Sequence, residues 1–141
     1  MAKIVAIDYG TKRVGIAVTD DLQIIASGLT TVHAKDLMAY LKEYESKNTL
    51  DSFVIGEPKN LENKETNSSE AINNFAIHLK RTFPAIPVHR IDERFTSKIA
   101  FQSMIDSGLS KKQRANKELV DEVSATIILQ DFLARKENGF I

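Results

Sequence analysis

Close to the start of the chain, four apolar residues in a row, Ile4, Val5, Ala6 and Ile7, lead straight into the acidic Asp8. An unbroken apolar run of this kind predicts a central strand covered on both faces, here Lys3 to Tyr9, and Gly10 ends it. After a turn through Thr11, Lys12 and Arg13, the segment Val14 to Thr19 reads as a second strand, and the short gap predicts an antiparallel hairpin. Ile24 to Val32 is a third strand, interrupted at Gly28, where a bulge or bend is expected. From Ala34 to Lys47 the period changes: Leu37, Tyr40, Leu41 and Tyr44 recur at helical spacing with charges between them. Ser52 to Gly56 is a short buried strand closed by Pro58, and Lys59 to Asn67 is polar and loop-like. Ala71, Phe75, Ala76 and Leu79 mark a second helix that stops before Pro84. Pro87 to Ile91 gives one more strand, ending in Asp92-Glu93-Arg94. Thr96 caps a third helix through Ile99, Ala100, Met104 and Ile105, ended near Gly108. A basic polar stretch from Lys111 to Lys117 then leads into a final helix from about Glu118 to Lys136.

Three strands, a helix, a strand, a helix, a strand and two helices imply an α/β fold. Its mixed five-stranded sheet combines a three-strand antiparallel meander with two parallel strands, and helices cover both faces. That is the ribonuclease H-like (RNase H-like) architecture, expected here as one domain over residues 1–141. No repeat or linker divides the chain. In such sheets ligands gather at the carboxyl ends of the parallel strands, where Asp8, Glu57 and Glu93 fall.

Composition narrows the chemistry. The chain has no cysteine, which removes disulfides, thiolate metal sites and a thiol nucleophile, and suits a reducing compartment. The apolar stretch ahead of Asp8 is too short for the core of a secretory signal, and no stretch approaches a membrane span, so a cytoplasmic protein is expected. Nineteen basic residues balance nineteen acidic ones. Any contact with a polyanion must therefore come from a local patch.

Three acids stand out. Asp8 is placed where the sheet core ends, and an unpaired carboxylate buried there costs several kcal/mol by order of magnitude, so it needs a cation, a donor or water. A turn aspartate bonding the backbone of Gly10 and Thr11 satisfies the same requirement. Glu93 follows the strand through Val88 and Ile91, and alternation puts Asp92 on the other face. An exposed salt-bridge cluster accounts for the same residues. Asp121 lies on the stripe of Ala125, Ile128 and Phe132, at the start of the last helix's apolar face. Small Ser124 and Ala125 let that helix approach the sheet, although an acid in a first turn also complements the helix dipole. Together the three acids supply the oxygen donors that Mg²⁺ or Mn²⁺ requires, and such ions activate water and stabilise the leaving oxygen of a phosphodiester.

Each acid has basic neighbours: Lys12 and Arg13 beside Asp8, Arg94 and Lys98 after Glu93, and Lys111, Lys112, Arg114 and Lys117 before Asp121. Phosphates held around a metal site explain this pattern, as does ordinary solvated charge. His33, His78 and His89 have no ligand spacing and read as structural or surface residues. Tyr9 and Phe95 are suited to base stacking or to packing.

At this level the sequence resembles the YqgF/RuvX family of the RNase H-like superfamily, whose members are described as pre-16S rRNA nucleases or Holliday junction resolvases. The resemblance covers nearly the whole chain. It rests on the run Ile7 to Ala17, on Asp92-Glu93-Arg94-Phe95-Thr96-Ser97, and on Val120-Asp121 followed by Ser124-Ala125 and Ile128-Leu129. It implies acidic catalytic residues at Asp8, Glu93 and Asp121, and functional basic residues at Lys12, Arg13 and Arg94. The implied activity is a metal-dependent nuclease trimming the 5′ end of precursor 16S rRNA, in contact with ribosomal particles and acting as a monomer or homodimer. One departure is local. The family's Gly-Leu-Pro after the fourth strand is Gly56-Glu57-Pro58 here, followed by a glycine-free loop, which makes Glu57 a candidate fourth ligand or a surface glutamate.

Two other classes remain open on sequence grounds. Asp8-Tyr9-Gly10-Thr11 also resembles the first phosphate loop of actin-like ATPases and sugar kinases, which carry two such domains where this chain has room for one. A non-catalytic RNA-binding module on the same fold is the other.

Overall fold

The first strand is buried from both sides, which is why its apolar run is continuous. In the computed structural model, residues 2–10, 12–58, 69–93, 102 and 104–139 are described, with the backbone only for Glu57, Pro58, Ser69, Asp92, Glu93 and Arg114. The strands are β1 (Lys3–Tyr9), β2 (Arg13–Thr19), β3 (Ala26–His33), β4 (Leu50–Pro58) and β5 (Val88–Glu93). A 3₁₀ turn (Ala34–Asp36) leads into α1 (Leu37–Lys47), followed later by α2 (Ser69–Thr82), a short α3 (Lys111–Arg114) and α4 (Lys117–Glu137). The sheet order is β3-β2-β1-β4-β5. β1 pairs antiparallel with β2, β2 antiparallel with β3, and β4 parallel with both β1 and β5. This is the mixed sheet that the sequence pattern predicts.

Alternation along β1 splits the core in two. Val5 and Ile7 pack with Leu37, Leu41, Ile72 and Leu79 from α1 and α2. Ile4 and Ala6 face the opposite way, against Ala125, Ile128, Leu129 and Phe132 of α4. The bulge expected near Gly28 is present: pairing slips between Ile16–Thr30 and Ala17–Gly28, leaving Leu29 as the extra residue.

Several elements differ in their bounds from the sequence reading. β3 starts at Ala26, because the Asp20 carboxylate accepts the backbone N–H groups of Ile24 and Ile25, both at 2.8 Å, and holds them in the preceding turn. α1 proper begins at Leu37, after the 3₁₀ turn in which His33 Nδ1 accepts the Lys35 N–H at 3.2 Å. β4 runs beyond its apolar centre at both ends, since Lys3 pairs with Leu50 and Pro58 with Glu93. The basic stretch contains the helical turn α3, capped reciprocally by Ser110 and Gln113. Of the expected third helix, Gln102 and residues 104–106 are helical; Thr96, Ile99 and Ala100, like the loop Lys59 to Asn67, lie outside the described residues. Among the described residues no helix is long and apolar enough to cross a membrane.

Candidate active site

Asp8 belongs to the α4 side of the sheet. Ile4 and Ala6 face α4, and Asp8 is next in that alternation. Its cross-strand partner is Gly15, and directly opposed residues share a face. A Cβ added to Gly15 would overlap the Asp121 carbonyl and come within 3.2 Å of the Asp121 Cα. The helix backbone at Asp121 therefore occupies the space that a side chain would fill beside Asp8, about 5 Å away by the usual spacing of opposed Cβ atoms. Ser124 and Ala125, both buried, continue the close approach along α4. At the neighbouring Gly28 an added Cβ would meet Thr126 Oγ1 at 3.3 Å and Glu122 Cβ at 3.4 Å.

The result is an open cleft of about 290 Å³ lined by Asp8, Tyr9, Gly10, Lys12, Arg13 and Asp121. Arg13 Nε donates to Asp121 Oδ2 at 2.8 Å, with the Arg13 side chain 42% and the Asp121 side chain 21% exposed. An ion pair this exposed contributes about 1 kcal/mol or less to stability. Its consequence is orientation, because the fixed guanidinium plane holds the carboxylate at the cleft wall. Thr31 Oγ1 donates to the Glu118 carbonyl at 2.7 Å, tying the start of α4 to β3.

Of the sequence-selected residues, the structure brings Asp8, Asp121, Lys12 and Arg13 together. Glu93 is the last residue of β5 and pairs with Pro58 of β4. Glu57 pairs with Asp92 at the end of β4. Lys111, Lys112 and Lys117 are exposed and stand outside the cleft lining. Arg94, Phe95 and Lys98 lie outside the described residues. Among described side chains, no three His, Asp or Glu converge as a metal cage. The donor set is all oxygen, which suits a hard divalent cation rather than a softer metal. His89 packs against Phe132 with centroids 5.2 Å apart, and Tyr9 stacks on Phe75 at 4.8 Å.

Gly15 is the residue that sequence reasoning passed over. A glycine inside an otherwise apolar strand signals close backbone approach, a signal applied to Gly28 but equally present at Gly15.

Comparison with known proteins agrees with this fold. The family model described as "RuvX: Holliday junction resolvase" matches residues 2–135. A protein of Flavobacterium psychrophilum is 55% identical over 136 residues, covering 96% of this chain and 99% of the relative. One from Flavobacterium johnsoniae is 56% identical over 136 residues with the same coverage. Both carry the name "Putative pre-16S rRNA nuclease". Among solved structures, T. thermophilus RuvC in complex with a Holliday junction substrate matches with a TM-score of 0.56 and 18% identity over 96% of each chain. Fowlpox virus resolvase with Holliday junction DNA matches with a TM-score of 0.58 and 12% identity, over 95% of this chain and 98% of that one. The fold is thus RNase H-like, and by sequence over nearly its full length the chain belongs to the RuvX family.

Proposed function

We propose that this protein is a divalent-metal-dependent nuclease that hydrolyses phosphodiester bonds in precursor 16S rRNA during ribosome biogenesis, with Asp8, Glu93 and Asp121 as its catalytic acids. The carrying observation is that Asp8 and Asp121, far apart in sequence, line one open cleft beside Lys12 and Arg13. The relatives' name gives the substrate class. Asp8 and Asp121, joined by Glu93 from the end of β5, are the residues that would hold Mg²⁺ or Mn²⁺. A bound divalent ion supplies Lewis acidity and neutralises charge at the phosphate. Arg13 keeps Asp121 facing the cleft, and Lys12 contributes positive charge for the phosphate backbone. Glu57 is not proposed as part of this set.

The test incubates purified protein with a precursor 16S rRNA fragment and, side by side, a four-way DNA junction, each with Mg²⁺ or Mn²⁺. Cleavage of the rRNA is expected. It should fall at least about 100-fold in Asp8→Asn, Glu93→Gln and Asp121→Asn, as for loss of a metal-site residue, and persist in Glu57→Gln. Cleavage unchanged in Asp8→Asn overturns the site. Selective cutting of the junction would replace the substrate with the one in the family model's description.

A further inference from the structure

A second cavity, larger than the cleft at about 450 Å³, opens between the start of α1 and the outer side of α2. Its apolar part comes from Tyr9, Phe75 and Met38, and its polar part from Lys35, Asn74 and His78. Lys35, Asn74 and His78 are exposed, whereas Phe75 is buried and stacks on Tyr9 with ring planes 15° apart. Tyr9 lines both the cleft and this cavity. The two are also joined through the main chain, since the Ala34 N–H, just after β3, donates to the carbonyl of Lys12 in the β1–β2 turn at 2.9 Å.

A half-buried tyrosine, backed by the buried Phe75 ring and bordered by an amide, an imidazole and an ammonium, has the chemistry to take a nucleobase. Tyr9, held in place by its stack on Phe75, offers aromatic surface, Asn74 and His78 offer donors and acceptors for a base edge, and Lys35 offers charge for the attached phosphate. The volume suits a nucleoside-sized ligand.

We infer that this cavity binds one unpaired base of the substrate strand, next to the nucleotide whose phosphate occupies the cleft. The inference rests on the nucleic-acid reading above. It gives the enzyme a preference for a single-stranded nucleotide flanking the cut, because a base held in a duplex cannot enter a side pocket. Tyr9 and Asn74 thereby become substrate-selecting residues.

The experiment measures binding of short fluorescent single-stranded RNAs to the full chain with divalent ions chelated, walking one abasic position along the strand. One abasic position is expected to weaken binding about 5- to 100-fold, the loss of one stacked base. Ala71→Leu, which fills the cavity from α2, should weaken the intact RNA similarly and erase the abasic effect, as coupled sites do. Should Ala71→Leu fail to fold, the exposed pair Asn74→Ala and His78→Ala carries the test, with an expected loss of about 2- to 10-fold per lost hydrogen bond. A flat abasic scan on RNA that binds, or an abasic effect untouched by the cavity variants, overturns the inference alone. No binding to any RNA or to the four-way DNA junction, with divalent ions chelated or present, overturns the nucleic-acid reading with it. Adenosine 5′-monophosphate competing as strongly as intact RNA would make this a free-nucleotide site and overturn the strand assignment.

Discussion

Gly15 sets the distance between the two catalytic candidates that the structure brings together. It opposes Asp8 on the neighbouring strand, and the Asp121 carbonyl lies where its side chain would be. Gly15→Ala therefore has to push α4 outward or bend β2, and overpacking of this sort costs about 1–3 kcal/mol. The expected outcome is a lower urea midpoint together with a loss of cleavage that exceeds the loss of folded protein at the assay temperature. Stability loss with specific activity intact would show that the Asp8–Asp121 spacing tolerates a shift of the helix. The residue itself was legible as a strand glycine. Its partner was not, because a strand glycine at one end and small helix residues at the other each mark a close approach without saying what approaches what across more than a hundred residues.

At the scale of elements, α4 gains its packing by pressing a small-residue face onto β2 and β3, and Glu122 bears a cost of that contact. Its Cβ lies 3.4 Å from where a Gly28 Cβ would stand. Burial pushes the Glu122 carboxyl above the usual carboxylate range, and repulsion from Glu118 adds to the shift. An acid with a raised folded pKa is best tolerated protonated. Wild type therefore loses stability relative to Glu122→Gln as pH rises from below the ordinary glutamate value through the raised one, and the two converge in acid. Paired urea melts across that range check the sign; a variant equally stable at all pH values would remove the burial effect. Asp20 titrates oppositely, held low by the Ile25 and Ile24 N–H groups. The same element scale shows what patterning can reach. The β1 run, the hairpin and the α4 stripe were readable because burial writes itself into periodicity. β4 outran its apolar centre because pairing with β1 and β5 extends a strand without needing apolar residues there. The α3 turn had a readable signal in Ser110 and Gln113, masked by the run of basic residues around it.

For the whole molecule, charge decides how a polyanion is held. Nineteen cations balance nineteen anions, so on the proposed function affinity for RNA would come from a short track. Lys12 and Arg13, at the cleft, are the proposed start of it. Lys117 lies one helical turn before Asp121 on the same side of α4, and Lys111 and Lys112 are exposed on the preceding helical turn. A strand leaving the cleft along the start of α4 would pass these three lysines. Each phosphate neutralised on a single strand steepens the log–log dependence of affinity on salt by about 0.7. Replacing Lys111, Lys112 and Lys117 together with Ala should thus flatten the salt slope by about 2, with little change in stability because all three are exposed. Titrations of one RNA at several salt concentrations, for wild type and the triple variant, measure this directly. An unchanged slope would take these lysines off the path and leave the phosphates to the cations around the cleft.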